Sequence, residues 1–390
     1  MPREGRRYAV SEVEPLTIGT EHEYSINDAS FTPQPINDQL IRRLSGRVQN
    51  EFEFGTVHIS KELQKHVLEV VPSKPAEDLA ELEFDLFAGL RSLYRALGDE
   101  YCFLGLGMHP LLRLEQTAVW DHEDKEIFEV YDRLFNLKQH GWLNIQALQI
   151  NIPYQNERGM VTLYNNLRAL IPYLVAISAS SPFVEGKPTG KMDNRLIYYR
   201  ENQRNLPIIS HGVIPERLKD AKQHLRIQEE MFAQLRRHDA EMLCHEWVDS
   251  RGIIVRFSRR CVEIKALDEQ ECIRSDMAIT AFVLALLRCP GLDLEEDEDA
   301  LHDLLEKAIQ SGVAGLRPEL EGLFKKAMGS ASPDERRYMP LIRAKIERGS
   351  LAEVIAQDGK EKGLKPLLRE LELSLRTNVP YQRGDRSALK

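Results

Sequence analysis

The chain has 390 residues, 42% of them apolar and 29% charged, the ordinary range of a globular protein and unlike that of a disordered or disulfide-framed one. Its length sets an expectation of two domains, or of one large domain with an appendage. Fifty-two Lys and Arg against 61 Asp and Glu leave a net charge of −9, the wrong sign for a surface that wraps nucleic acid.

From the N-terminus, MPREGRRYAVSEVE is basic but lacks the apolar core of a secretory signal. Thr17–Ile26 reads as a strand, with Ile18 and Ile26 opposite Glu21 and Glu23. Glu62 and Glu69 bracket ELQKHVLE at a spacing of seven, which also fits two turns of a solvent-facing helix. Ala80–Leu97 has helical spacing. Gln146–Ile152 reads as a strand, with Leu148, Ile150 and Ile152 on one face and Ala147, Gln149 and Asn151 on the other. Helical spacing returns over Thr162–Ser178 and Pro215–His238. In Gly252–Ser258, Ile253, Val255 and Phe257 oppose Ile254, Arg256 and Ser258; in the next strand Val262, Ile264 and Ala266 oppose Cys261, Glu263 and Lys265. Ser275–Leu287 is helical, and its apolar run from Met277 falls short of the roughly 20 residues that a membrane span needs.

After about Pro290 the chain reads as helical or irregular. The acidic run Asp293–Asp299 marks a boundary, and helices are expected over Asp297–Gln310, Pro318–Met328, Asp334–Arg348 and Leu364–Leu375. Ser332-Pro333-Asp334 has the form of a cap followed by a proline in the first turn. The five cysteines are odd in number, far apart and without a CxxC pair, as in reduced thiols of a cytoplasmic protein, and a zinc site is not expected.

Several strands therefore share one design, an apolar face for helices to cover and a second face of carboxylates, amides and cations. Helices and strands do not alternate as βαβ units, so the expected class is α+β, with a largely antiparallel sheet, helices behind it and a polar cavity in front.

On one strand Glu21 and Glu23 lie about 6.6 Å apart, a repulsion of roughly 2.5 kcal/mol at an effective dielectric near 20. In a cavity that pair calls for a cation, and hard oxygen donors suit magnesium; on a solvated edge it needs nothing. Glu263 and Lys265 repeat the arrangement, one suited to a cation and the other to a phosphate, or together to a surface salt bridge. Gln149 and Asn151 add neutral donors and acceptors. His58, His66, His211 and His245 form no HxxxH or HxH pair and read as structural. There is no GxxxxGK[ST], no GxGxxG after a strand and no GxSxG.

Taken together, the segments ISASSPFVEGKPTGKMDNR (177–195), IGTEHEYSI (18–26), ELQKHVLEVV (62–71) and RFSRRCVEIKALDEQEC (256–272) resemble the glutamate–cysteine ligase type 2 family, the carboxylate–amine ligases, which are similar in fold to glutamine synthetase. The resemblance implies a catalytic domain over 1–292 and a helical C-terminal region over 293–390. Its sheet would be curved and mainly antiparallel, forming a funnel-shaped active site, with helices on the outer face. It further implies ATP and Mg2+, with Glu21, Glu62 and Glu69 serving one metal and Glu23, Gln149 and Glu263 another. Arg195 and Asn151 fall on the substrate side, and Lys265 and Arg256 near the transferred phosphate.

The chain departs from many relatives at Ala147-Leu148-Gln149, where an HxH pattern is usual, and at Lys265, where arginine is usual. Lysine lacks arginine's planar two-pronged contact. The implied activity is ATP-dependent amide formation through an acyl phosphate, giving a gamma-glutamyl product. The substrates would be a small-molecule carboxylate and an amine, with no nucleic acid or membrane partner and a homodimer as the family-level assembly. Two other classes stay open: a nucleotide- or amino-acid-binding protein without turnover, and a carboxylate-rich metal hydrolase that needs no ATP.

Overall fold

Pleating with a period of two accounts for most of the architecture. The computed structural model describes residues 17–292 and 294–383; the basic stretch 1–14 and Asp293 of the acidic run lie outside the described residues. The strands are β1 (Gly19–Asn27), β2 (Glu51–Phe54), β3 (Val57–Lys61), β4 (Val67–Pro72), β5 (Cys102–Leu104), β6 (Ala147–Pro153), the small hairpin β7 (Phe183–Val184) and β8 (Lys187–Pro188), then β9 (Ile253–Arg256) and β10 (Cys261–Asp268). An eight-stranded sheet runs β2-β3-β4-β1-β6-β10-β9, with β5 also paired to β1. All of its strand pairings are antiparallel.

Register puts like faces together. Glu23 stands opposite Glu69, Glu21 opposite Gln149, and Glu263 opposite Asn151, so the polar residues of four strands share the front. Behind them Tyr24, Leu68, Leu148, Ile150, Val262 and Ile264 are buried in one continuous core. A register shift between Ile264 and Leu267 bends the end of β10, as a bulge does.

The helices before the C-terminal region are α1 (Asn37–Ser45), α2 (Leu79–Leu97), α3 (Lys125–Phe135), α4 (His140–Leu143), α5 (Glu157–Ser178), α6 (Asn194–Glu201), α7 (Ala221–Arg237) and α8 (Ile273–Leu287). Asp78 caps α2 by accepting from the Glu81 N–H at 2.7 Å, and Leu79, Leu82, Leu86, Leu90, Leu93 and Leu97 form its buried stripe. α2 packs on β4, and α5 packs on β9 and β10. α8 lies against both helices, and almost its whole circumference is buried. α5 is the one described helix long and apolar enough to cross a membrane, but 72% of its apolar window is buried inside the protein, as in a core helix.

Past residue 293 come α9 (Glu298–Ser311), α10 (Arg317–Ser330), α11 (Pro333–Arg336), α12 (Met339–Arg348), α13 (Leu351–Lys362) and α14 (Leu364–Thr377). The helix expected over Asp334–Arg348 is broken into α11 and α12, because Pro340 starts a new first turn. Ser332 and Glu335 form a capping box ahead of that break, with Pro333 in the first turn. Ser350 and Glu353 do the same for α13, a helix absent from the expected set.

The α+β class and the helical C-terminal region stand, but the expected funnel does not. The sheet is not closed or curved into one: its path ends at β2 and β9, each with a single partner strand. Closure would require those two short strands to pair with a consistent tilt and stagger. The helical alternative for Glu62 and Glu69 is also corrected, since Glu62 directly follows β3 and Glu69 lies within β4.

Candidate active site

A cavity of about 290 Å³ opens on the polar face of the sheet, lined by Glu21, Glu23, Glu62, Glu69 and Glu263 and by Arg195, Arg256 and Lys265. Strand alternation delivers most of these groups. The other wall does not come from the sheet: Tyr131 from α3, Trp142 from α4, Arg195 and Tyr199 from α6, and Trp247 from the segment before β9 complete it. Tyr131 stacks at a tilt on Trp142 and Trp247, with ring centroids 5.1 and 6.3 Å away.

The carboxylates are crowded. Ligand oxygens of Glu23, Glu62 and Glu69 lie within 4.8 Å of one another, where each ionised pair repels by roughly 3 kcal/mol at an effective dielectric near 20. Burial, then Glu21, Glu62 and Glu23, push the Glu69 carboxyl well above the usual range. Burial and Glu62 push Glu23 up to about 8, against Arg195, the Ala147 N–H and Lys265. Burial also raises Glu62, against Lys61 and the Leu63 N–H. Each of the three thus favours a proton or a cation.

Glu21 behaves differently. Burial pushes it up, but Arg259, a hydrogen bond with Glu69, and Arg256 outweigh burial and hold it below the usual range. Its Oε1 accepts from Arg259 Nη1 at 2.6 Å and from Asn151 Nδ2 at 3.1 Å.

On β10, Glu263 is fully buried. Its Oε2 accepts from Arg256 Nη1 at 2.6 Å, while Oε1 has no hydrogen-bond partner and lies 3.7 Å from Lys265 Nζ. Burial works against the Lys265 charge, but Glu263, Tyr199 and Glu21 together outweigh it and keep the ammonium. Arg256 also donates to Glu246 at 3.3 Å.

Arg195 is held by the segment that carries the strongest sequence resemblance. Asp193 caps α6 through the Leu196 N–H, and Asn194 Nδ2 donates to the Ser181 carbonyl at 2.7 Å. Arg195 is 2% exposed. Its Nη2 donates to the Lys265 carbonyl at 2.8 Å; Nε and Nη1 make no hydrogen bond, and Nη1 lies 3.8 Å from the buried Asp268 Oδ1. A buried guanidinium whose only carboxylate neighbour stands beyond hydrogen-bond distance suits a planar anion.

Nine of the ten residues expected at the site line this one cavity. The tenth, Asn151, lies in an adjoining cavity with Arg259 and Cys261, its amide nitrogen turned to Glu21. Glu23, Glu62 and Glu69 come within reach of one point; Glu21 adjoins them through its hydrogen bond with Glu69 while Arg259 engages its Oε1, and Gln149 Nε2 donates to Glu23 Oε1 at 3.1 Å.

The donors fit a hard divalent cation: three carboxylates in reach of one point, no Cys or His among them, and a buried Glu263 oxygen without a partner. Sequence reasoning missed the aromatic wall, although it uses two of the three tryptophans in the chain.

A family model described as glutamate-cysteine ligase family 2 matches residues 17–353. An uncharacterised protein of Archaeoglobus fulgidus is 48% identical over 368 residues, covering 93% of this chain and all of that one. Chloroplastic glutamate–cysteine ligase A of Oryza sativa subsp. indica is 26% identical over 216 residues, 51% of this chain and 44% of that protein, so the chain matches less than half the length of that relative. Among solved structures, the fold is similar to glutamate–cysteine ligase from Francisella tularensis in complex with AMP. The TM-score is 0.66 at 12% identity, covering 96% of this chain and 91% of that one. It is also similar to a bifunctional glutathione synthetase from Pasteurella multocida, with a TM-score of 0.63 at 14% identity over 93% and 52% of the two chains.

Proposed function

The chain belongs to glutamate–cysteine ligase family 2, an ATP-dependent carboxylate–amine ligase family that forms amide bonds, and from that premise we propose that the 290 Å³ cavity joins the γ-carboxylate of a glutamate-like donor to an amine. The observation that carries this reading is the charge separation within one cavity, with Glu23, Glu62 and Glu69 clustered and Arg195, Arg256 and Lys265 in the same lining. Such a site can hold cation and anion side by side.

A carboxylate is a poor electrophile because oxide would have to leave. Its oxygen therefore attacks the γ-phosphorus of ATP, the bond to the β-phosphate oxygen breaks, and ADP departs. The amine then attacks the acyl carbon, phosphate leaves with the bonding electrons, and the nitrogen gives up a proton. Magnesium, when bound, neutralises charge on the phosphates. Glu23, Glu62 and Glu69 would hold one ion, and Glu263 with Gln149 would serve a second. Arg195 offers Nε and Nη1 to the donor's carboxylate. Lys265 presents a point charge to the transferred phosphoryl group, and Arg256 steadies Glu263 beside it.

The amine must arrive without its extra proton. An acidic residue of the cavity would take it. The substrates proposed are amino acids, with glutamate as donor and cysteine as the first acceptor to try. Residues 1–292 would carry the catalysis, with the helices of 293–390 supporting it. A homodimer in the cytoplasm is the assembly and place proposed. The free cysteines are compatible with that compartment.

The test is an untargeted screen: protein, ATP and Mg2+ with pooled amino acids and amines, scored by mass for a condensation product and for the nucleotide released. A product with ADP supports the reading. AMP with pyrophosphate rules out the acyl phosphate, and bond cleavage without nucleotide points to a hydrolase.

A further inference from the structure

β1 changes neighbours halfway along its length. Its first half lies beside β6, where the last pairing is His22 with Leu148, and its second half beside β5, where the first is Ser25 with Leu104. Glu23 falls in the fork between them. There both of its backbone groups are met by side chains: its N–H donates to Glu269 Oε2 at 3.2 Å, and its carbonyl accepts from Gln146 Nε2 at 3.2 Å. Gln146 Nε2 also donates to the Leu104 carbonyl at 3.0 Å, so a single amide bridges both prongs. The exchange is completed by Glu23 itself, whose Oε2 accepts the Ala147 N–H at 2.9 Å. Gln146 and Glu269 are essentially inaccessible to solvent.

A buried N–H or carbonyl must find a partner. In an uninterrupted ladder, β6 or β5 would supply both partners, and the backbone of Glu23 would follow the pleat of its neighbours. Two side chains supply them instead, and the width of the fork follows from their lengths.

We propose that Gln146 and Glu269 are positioning residues for Glu23, setting where its carboxylate stands relative to Glu62 and Glu69. The inference rests on the reading of Glu23, Glu62 and Glu69 as a cation site. Neither residue lines the cavity, and neither was among the residues expected from the sequence to act there. Both act through the main chain of the residue they hold.

The test is direct Mn2+ binding to the full chain without nucleotide, read by electron paramagnetic resonance of the free ion, with thermal melting by circular dichroism as the check on folding. Glu23→Gln reports on the site itself. Gln146→Ala and Glu269→Ala are expected to weaken Mn2+ binding about 10–100-fold, the usual reach of groups that orient a metal ligand. Glu269→Gln keeps one acceptor where Glu269 uses two, Oε2 for the Glu23 N–H and Oε1 for His22 Nδ1, so its Mn2+ affinity is expected to fall between those of the parent and Glu269→Ala. In steady-state assays Gln146→Ala should raise the Mg2+ concentration needed for half activity while kcat recovers at saturating Mg2+, a split that a general loss of packing would not produce.

If Glu23→Gln loses Mn2+ but folded Gln146→Ala binds it within about twofold of the parent, well inside the range expected for an orienting group, the positioning role is wrong and the cation site stands. If Glu23→Gln binds Mn2+ like the parent, the site reading fails and this inference falls with it. Should Glu269→Ala not fold, Gln146→Ala decides alone, since it strands no buried charge.

Discussion

Two clusters of acids lie on opposite faces of β1, one residue apart in the chain, and they solve the same electrostatic problem differently. Behind the sheet, His22 Nδ1 lies 3.3 Å from Glu269 and 3.4 Å from Asp276, all three fully buried. Burial works against the imidazolium, but Glu269 and Asp276 outweigh it and push His22 up to about 10. Its second nitrogen meets the Thr20 hydroxyl at 2.9 Å, so both N–H groups of the cation have acceptors. In front, Glu23, Glu62 and Glu69 are gathered as closely with no histidine among them. The rear cluster carries its own cation. The front cluster opens on a cavity and is suited to one supplied from outside.

The largest expected effect breaks the rear cluster. His22→Leu leaves Glu269 and Asp276 buried without their cation, and stability should fall by about 3–5 kcal/mol, the usual result of removing one partner from a buried pair; urea unfolding measures it. Glu69→Gln is expected to do the opposite to stability, holding or raising the melting temperature by relieving repulsion. It should lower kcat about 10²–10³-fold, the scale of losing one preorganised charge. If Glu69→Gln melts well below the parent, the contrast between the clusters is wrong.

A smaller effect is expected at Arg195. Arg195→Lys keeps the charge but loses the fork, and KM for the donor carboxylate should rise about 10–100-fold, the value of one or two charge-assisted hydrogen bonds, with kcat less affected. The smallest concerns pH. His109 is buried without a carboxylate beside it, and burial pushes its imidazole down to about 3. A depressed folded pKa means that the unfolded chain binds the extra proton first. The stability that neutral His109 contributes is therefore complete above about 6.5, the ordinary histidine value, and is lost on acidification towards 3. Below 6.5 the loss from His109 should be on the order of 1 kcal/mol per pH unit, and His109→Asn should lower the slope of stability in denaturation curves taken between pH 7 and 5 by that amount, leaving the share of His66, His140, His224 and His302, which burial also pushes down. His22 has the reverse sign. Its contribution is complete below about 6.5 and disappears only as pH rises through about 10.

Much of the site's composition was legible from local pattern. Residues two apart on a strand share a face whatever the fold, so Glu21 with Glu23 and Glu263 with Lys265 could be paired before any strand was placed. Glu69 was harder, because ELQKHVLE fits a helix as well as a strand. Only its pairing with β1 and β3 settled the matter. Asn151 shows the limit of the method: it shares a face with Gln149, yet two residues along the strand were enough to put it in the adjoining cavity. The aromatic wall had no signal of this kind, since Tyr131, Trp142, Tyr199 and Trp247 come from separate segments with no common period.

From the letters alone came the α+β class, the helical end of the chain and the list of polar side chains able to face one way, because pleat and helical turn are properties of the local backbone. Tertiary structure alone decided that the sheet stays open, that Glu23, Glu62 and Glu69 come within reach of one point, and that His22 is sealed with two carboxylates. Those outcomes depend on the register between strands distant in sequence and on which loops pack over them. Such choices are made by the burial of whole surfaces against one another, and no short stretch of residues contains them.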